Sequence, residues 1–163
     1  MPAWSADGST IYFASNRSGA AQIYKIPTAG GEIKQITQNG DTESYESPDG
    51  KYLYYRRGGG GAGLWRVLSG GGEQSVPELA GAGYWRYWTM TKTGIYFVFH
   101  SEYSPYKIMF YDLSSNRVRE IAATEISPIS VYPGLGASED GKIILYTQND
   151  QNTSSIMLAE LEP

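Results

Sequence analysis

The sequence predicts an all-β fold, and three observations carry that prediction: its composition, a turn that recurs at nearly even spacing, and the absence of a helical apolar period. Of its 163 residues, 40% are hydrophobic, 18% charged and 13% aromatic, the balance of a folded chain and not of a disordered one. Twenty glycines and 14 tyrosines favour short strands joined by tight turns. The segments SADG (5–8), SPDG (47–50), TKTG (91–94) and SEDG (138–141) end on Gly8, Gly50, Gly94 and Gly141, which are 42, 44 and 47 residues apart. An amphipathic helix would need apolar residues about three and four apart over roughly ten positions, and the glycines at 58–61, 63 and 70–72 would interrupt it.

Each turn is flanked by apolar runs in a fixed order. Before it stand PAWS, ESYES, WRYWTM and PGLGAS; after it come IYFAS from Ile11, YLYYR from Tyr52, IYFVF from Ile95 and IILYT from Ile143. A further run follows 12 or 13 residues on (QIYKI, GLWRV, KIMFY, SIMLA), and a glycine or serine turn leads to EIKQIT, GEQSV or RVREIA. Asp-Gly supplies the positive φ that a tight hairpin needs, so each unit reads as short antiparallel strands; TKTG keeps only the glycine. Four-stranded units of about 40–45 residues have the period of a β-propeller, in which each sheet is a blade packed against its neighbours. The expectation is one propeller domain of four four-stranded blades, at about 1–37, 38–78, 79–122 and 123–163, the last lacking its outer strand.

Several function classes drop out. With no cysteine there is no disulfide, thiolate metal site or thiol nucleophile. The net charge of −4 and the lack of a basic run longer than Arg56–Arg57 argue against a nucleic-acid partner. No apolar stretch approaches the ~20 residues of a membrane-spanning helix, so no membrane insertion is expected. No cofactor and no metal site is expected either.

The segment PAWSADGSTIYFASNRSGAAQIYKIPTAGGEIKQIT (2–37) resembles the TolB-like propeller repeat, a relative of the WD-type repeat with the form P-x-W-S-P-D-G, a strand, an S-x-R-x-G loop and I-Y. SPDGKYLYY with LWRV, and SEDGKIILYT with IMLAELE, match it as well; the third unit matches in strand pattern alone. The resemblance implies a scaffold that binds more than it catalyses, and an extracytoplasmic, periplasmic setting. It places the first strand of each unit along the central channel, and ligands at the rim formed by segments 38–46, 78–85 and 123–136 with loops 15–22, 57–62, 100–106 and 148–154. Unit four ends on its third strand and unit one opens on its first. The chain is therefore expected to be the C-terminal part of a longer propeller, with Met1 at a blade boundary; the plainer alternative is a four-bladed ring with one incomplete blade. Two bare apolar blade faces would then drive association into a homodimer through the first and last units, completing eight blades.

Candidate binding residues are Glu43, Glu46, Tyr84, Arg86, Trp88 and His100. In a strand, alternation would send Tyr84, Arg86 and Trp88 to one face and Trp85 and Tyr87 to the other, a set suited to stacking on a sugar or gripping a peptide; the structural reading is packing between blades. His100, near Glu102, is the single histidine, and it has neither the companions of a metal site nor a G-x-S-x-G nucleophile. Glu43 and Glu46, with Asp41, invite an acid–base reading, but residues three apart in a strand point to opposite sides. Asp7, Asp49 and Asp140 are explained by turn chemistry. Arg56 and Arg57 could clamp an anion, or simply lie at the surface, and Arg17 of SNRSG is expected to reach the neighbouring blade. A non-catalytic scaffold for protein or ligand binding is the main expectation, and a carbohydrate- or peptide-processing hydrolase or lyase with a rim pocket the alternative.

Overall fold

The computed structural model describes residues 2–39, 42–57, 63–68, 71–82, 84–101, 104–124, 134–150 and 153–160. The chain divides into two compact units, Met1–Ala80 and Gly81–Pro163. The first unit holds two antiparallel four-stranded sheets. One is β1 (Ala3–Trp4), β2 (Thr10–Ser18), β3 (Ala20–Pro27) and β4 (Lys34–Gln35); the other is β5 (Ser44–Glu46), β6 (Tyr52–Arg56), β7 (Leu64–Leu68) and β8 (Glu73–Ser75), each in chain order. The second unit holds β9 (Trp88–Met90), β10 (Gly94–Ser101), β11 (Ser104–Asp112) and β12 (Arg117–Thr124). After these come β13 (Leu135–Ala137), β14 (Ile143–Asp150) and β15 (Thr153–Glu160), a sheet of three strands among the described residues. The one helical segment among them is a single 3-10 turn, Pro77–Leu79. Four up-and-down sheets, the last with three strands among the described residues, are the blades that the repeat predicts.

The recurring turn has a recurring chemistry. In the first blade the Ser5 hydroxyl donates to Asp7 Oδ1 at 2.7 Å and accepts the Thr10 N–H at 2.9 Å, while Ser9 N–H donates to the same Asp7 oxygen at 2.9 Å. Ser47 with Asp49 and Ser138 with Asp140 repeat it, at 2.6 and 2.7 Å. Gly8, Gly50 and Gly141 sit at φ 72°, 69° and 71°, a conformation costly for a residue with a Cβ.

The Ser5 hydroxyl, with help from Ser9, holds the Asp7 carboxyl down at about 2 from an ordinary 3.8. Asp49 and Asp140 are lowered in the same way by Ser47 and Ser138. A carboxylate whose folded pKa lies below its unfolded one stabilises the fold fully above the unfolded value. That contribution is lost as pH falls through the folded one, here from about 4 toward about 2. Thermal melts across this window should show the midpoint falling with acid, and the triple variant Asp7→Ala, Asp49→Ala, Asp140→Ala should flatten the slope. An unchanged slope would contradict the assignment.

The third blade departs from this pattern. Gly94 is the first residue of β10 and has no positive φ, so the reading of TKTG as a turn kept by its glycine is corrected. A Cβ there would overlap the Tyr111 carbonyl oxygen and Phe110 Cζ, so glycine is required by close packing. Backbone bonds from Ser5 N–H to Thr10, Ser47 to Tyr52, Thr91 to Gly94 and Ser138 to Ile143 define the register of the four blades. It makes Tyr12, Tyr54, Tyr96 and Leu145 equivalent. Aligning on the first apolar residue of each run is therefore one position off in the first and third blades.

Within each unit the two sheets pack face to face. Tyr12, with Ile23 of β3, meets Leu53, Tyr55 and Val67 of the second blade, flanked by Ala14, Ile36 and Trp65. In the second unit Tyr87, Tyr96, Val98, Ile108 and Phe110 meet Leu135 and Ile144. These side chains alternate along their strands, so one face of each sheet is committed to the neighbouring blade. Fully burying each large apolar side chain stabilises by about 1.5–3 kcal/mol. Glu73 secures the connection between the first two blades by accepting Gln38 N–H at 2.6 Å and the Asn39 side chain at 2.8 Å. Burial works to raise its carboxyl, and these hydrogen bonds, from the Asn39 side chain first, outweigh burial and hold it low.

Candidate functional site

The candidate residues divide between the two units. Glu46 ends β5 and faces the first blade. Its Oε1 accepts the Tyr12 hydroxyl at 2.5 Å and its Oε2 accepts the Ala6 N–H at 2.7 Å. Both oxygens thus latch the second blade to a strand and a turn of the first, 34 and 40 residues away. Burial, then the Glu46 carboxylate, push the Tyr12 phenol well above its usual range. Glu46 also walls an open groove of about 150 Å³ between the two sheets, with Tyr12, Lys25, Gln35, Lys51 and Leu68 among its other lining residues. Glu43, just before β5, is 1% exposed and belongs to the interior of the unit. Asp41 lies outside the described residues.

In the second unit the aromatic segment does not alternate as a strand would. Strand β9 begins only at Trp88, and residues 84–87 form a turn closed by the Tyr87 N–H donating to the Tyr84 carbonyl at 3.0 Å. Arg86 lies in that turn at φ 63°, in the left-handed region. Tyr84, Arg86 and Trp88 consequently do not share a face. Trp88 and Tyr87 are buried, whereas Tyr84 is 37% and Trp85 46% exposed. Tyr87 and Trp88 thus lie in the interior of the unit, whereas Tyr84 and Trp85 stay exposed, with the Arg86 guanidinium 5.1 Å from the Trp85 ring centroid. Backbone bonds fix the turn's position, because Leu135 N–H donates to the Arg86 carbonyl at 2.9 Å and Val98 N–H to the Tyr87 carbonyl at 2.9 Å.

A non-glycine residue in this conformation stores roughly 1 kcal/mol or more of strain. Arg86→Gly is therefore expected to leave stability equal or raised by up to about 1 kcal/mol in urea titration while removing the cation from Trp85. A loss above about 2 kcal/mol would show that the guanidinium holds the turn together.

His100 belongs to β10, but its side chain lies outside the described residues, as does Glu102. Arg57 lies over the Trp65 ring at 4.5 Å, a surface stacking position. Arg17 stacks on Phe13 and Tyr24 of its own blade, 5.3 and 4.8 Å from their centroids, which corrects the expectation of a bond to the neighbour. Among the described residues no group of three or more His, Cys, Asp or Glu side chains could hold a metal ion. Sequence reasoning missed Tyr12 as the partner of Glu46, and Glu73 as the anchor of the first connection. The one available signal was the tyrosine that recurs in the second-strand runs at 12, 54 and 96.

Comparison with known proteins places the fold. No protein-family model matches the chain. TolB from Acinetobacter baumannii matches 98% of this chain with 40% of its own length, at a TM-score of 0.78 and 23% identity. An oligogalacturonate lyase from Vibrio parahaemolyticus matches 94% of this chain with 50% of its own, at a TM-score of 0.62 and 14% identity. The fold is therefore that of a β-propeller, shared with TolB and with the lyase. In sequence, 55 residues (32% of this chain) are 45% identical to an uncharacterized peptidase, YuxL, of Bacillus subtilis, of which they make up 8%. The chain spans half or less of each of these proteins.

Proposed function

We propose that this chain is a non-catalytic propeller scaffold that binds protein or ligand at the turn carrying Tyr84, Trp85 and Arg86. The observation that carries this reading is the exposed Trp85 ring beside a guanidinium that a strained, hydrogen-bonded turn holds in place. A ring face and a cation together suit an anionic partner with an apolar surface, such as an acidic peptide or a carboxylated sugar. Glu46 supports the scaffold role from the other unit, since both of its oxygens serve the joint between blades. Hydrolase or lyase chemistry on carbohydrate or peptide is the second reading, favoured by the likeness to the lyase and to the peptidase relative.

One titration distinguishes them. Tryptophan fluorescence is followed as oligogalacturonate, and separately a tetraglutamate peptide, is added to the unmodified chain and to Trp85→Ala and Arg86→Ala. Saturable change with either probe, weakened at least tenfold in both variants and without product on chromatography, is the expected result. Product formation would establish the enzyme, and identical curves in all three proteins would remove this turn as the binding site.

A further inference from the structure

Inside the first unit, the groove between the two sheets holds a cation that no described residue balances. Residues paired across an antiparallel ladder share one side of the sheet. Lys25 is paired with Tyr12 and therefore follows it toward the second blade, where the paired Leu53 and Val67 face the first. Lys25 is half-buried and lines the groove, together with the apolar Ile36, Leu53, Val67 and Leu68; the exposed Lys51 stands at its rim. Among the described residues Lys25 has neither an ion pair nor a hydrogen bond from its ammonium. Glu46, the carboxylate in the lining, already uses both oxygens on the Tyr12 hydroxyl and the Ala6 N–H. Lys51 lies 3.2 Å from Asp49, an exposed pair of the kind that holds its partners weakly.

We infer that this groove binds a small monocarboxylate with an aromatic or branched apolar body, its carboxylate on Lys25 and its body against the apolar lining. Charge selects the head: an ammonium carries three donors, and a charged acceptor makes the stronger kind of hydrogen bond with it. Two lysines facing one carboxylate whose oxygens are already taken favour an anion over a cation. Size selects the body, because the groove encloses about 150 Å³, and a cavity of about that volume accommodates a benzene ring. A lysine present only for its methylene stem, with its head in water, would give the groove no preference between a charged and an uncharged ligand. The site lies in the other unit from Trp85 and Arg86, and it stands or falls apart from the function proposed for them.

The test titrates benzoate, and separately its uncharged counterpart benzamide, into the isotope-labelled chain and follows the backbone amide shifts by NMR. Benzoate should move the amides of Lys25, Lys51, Leu53 and Leu68 saturably, with a Kd of about 1 mM or below, within reach of so small a ligand. Benzamide should bind at least tenfold more weakly. Lys25→Met keeps the stem and removes the charge; it should weaken benzoate at least tenfold and leave benzamide unchanged, with the dispersion of the amide spectrum retained. Lys25→Arg should keep most of the benzoate affinity. Equal affinity for the two probes, no saturable shift with benzoate, undiminished benzoate binding in Lys25→Met, or shifts confined to residues 84–87 would each overturn the proposal.

Discussion

Gly94→Ala is expected to destabilise the protein by about 3 kcal/mol, the upper end of the usual range for overpacking a core. The added methyl group would overlap the Tyr111 carbonyl oxygen, a backbone atom held in the pairing of β10 with β11, so relief requires the strands to part. Phe110 cannot yield instead, because its ring is packed 4.6 Å from that of Tyr96 in the core of the second unit. In a chain of this length such a loss lowers Tm by roughly 6–12 °C. Gly136→Ala is the control: nothing lies within 4 Å of its added Cβ, and it should change Tm by less than about 2 °C. Equal shifts for the two variants would refute the packing explanation of Gly94.

Glu46→Ala should be the next most damaging change, at about 2–3 kcal/mol in urea. It removes two charge-assisted hydrogen bonds and strands the hydroxyl of Tyr12, a residue only 8% exposed. Glu46→Gln keeps an acceptor and should cost roughly half as much. Tyr12→Phe combined with Glu46→Ala should fall short of the sum of the single losses by about 1–2 kcal/mol, since both break one bond. Additive losses would mean that the two residues act separately. Neither Glu46 variant should alter the fluorescence titration at Trp85, and a tenfold weakening there would make Glu46 part of the proposed binding site.

Elements whose causes lie within a few residues were legible from the chain. Ser5, Asp7 and Gly8 complete their turn within six positions, and so do Ser47, Asp49 and Gly50, and Ser138, Asp140 and Gly141. The site was legible only in part. Tyr84, Trp85 and Arg86 stood out by composition, but strand alternation misplaced them, because the alternation begins at Trp88 and a left-handed Arg86 precedes it. Nothing near Glu46 in the chain announced that its partners are Ala6 and Tyr12.

By itself, then, the amino-acid order determined the strands, three of the four turns and the four-blade repeat, since backbone conformation and apolar alternation are set by neighbours in sequence. Tertiary structure alone decided which carboxylate is an anchor, which glycine guards a close approach and which aromatic rings stay exposed. Those outcomes depend on atoms 16 to 45 residues away, and their location is known only once the sheets have stacked.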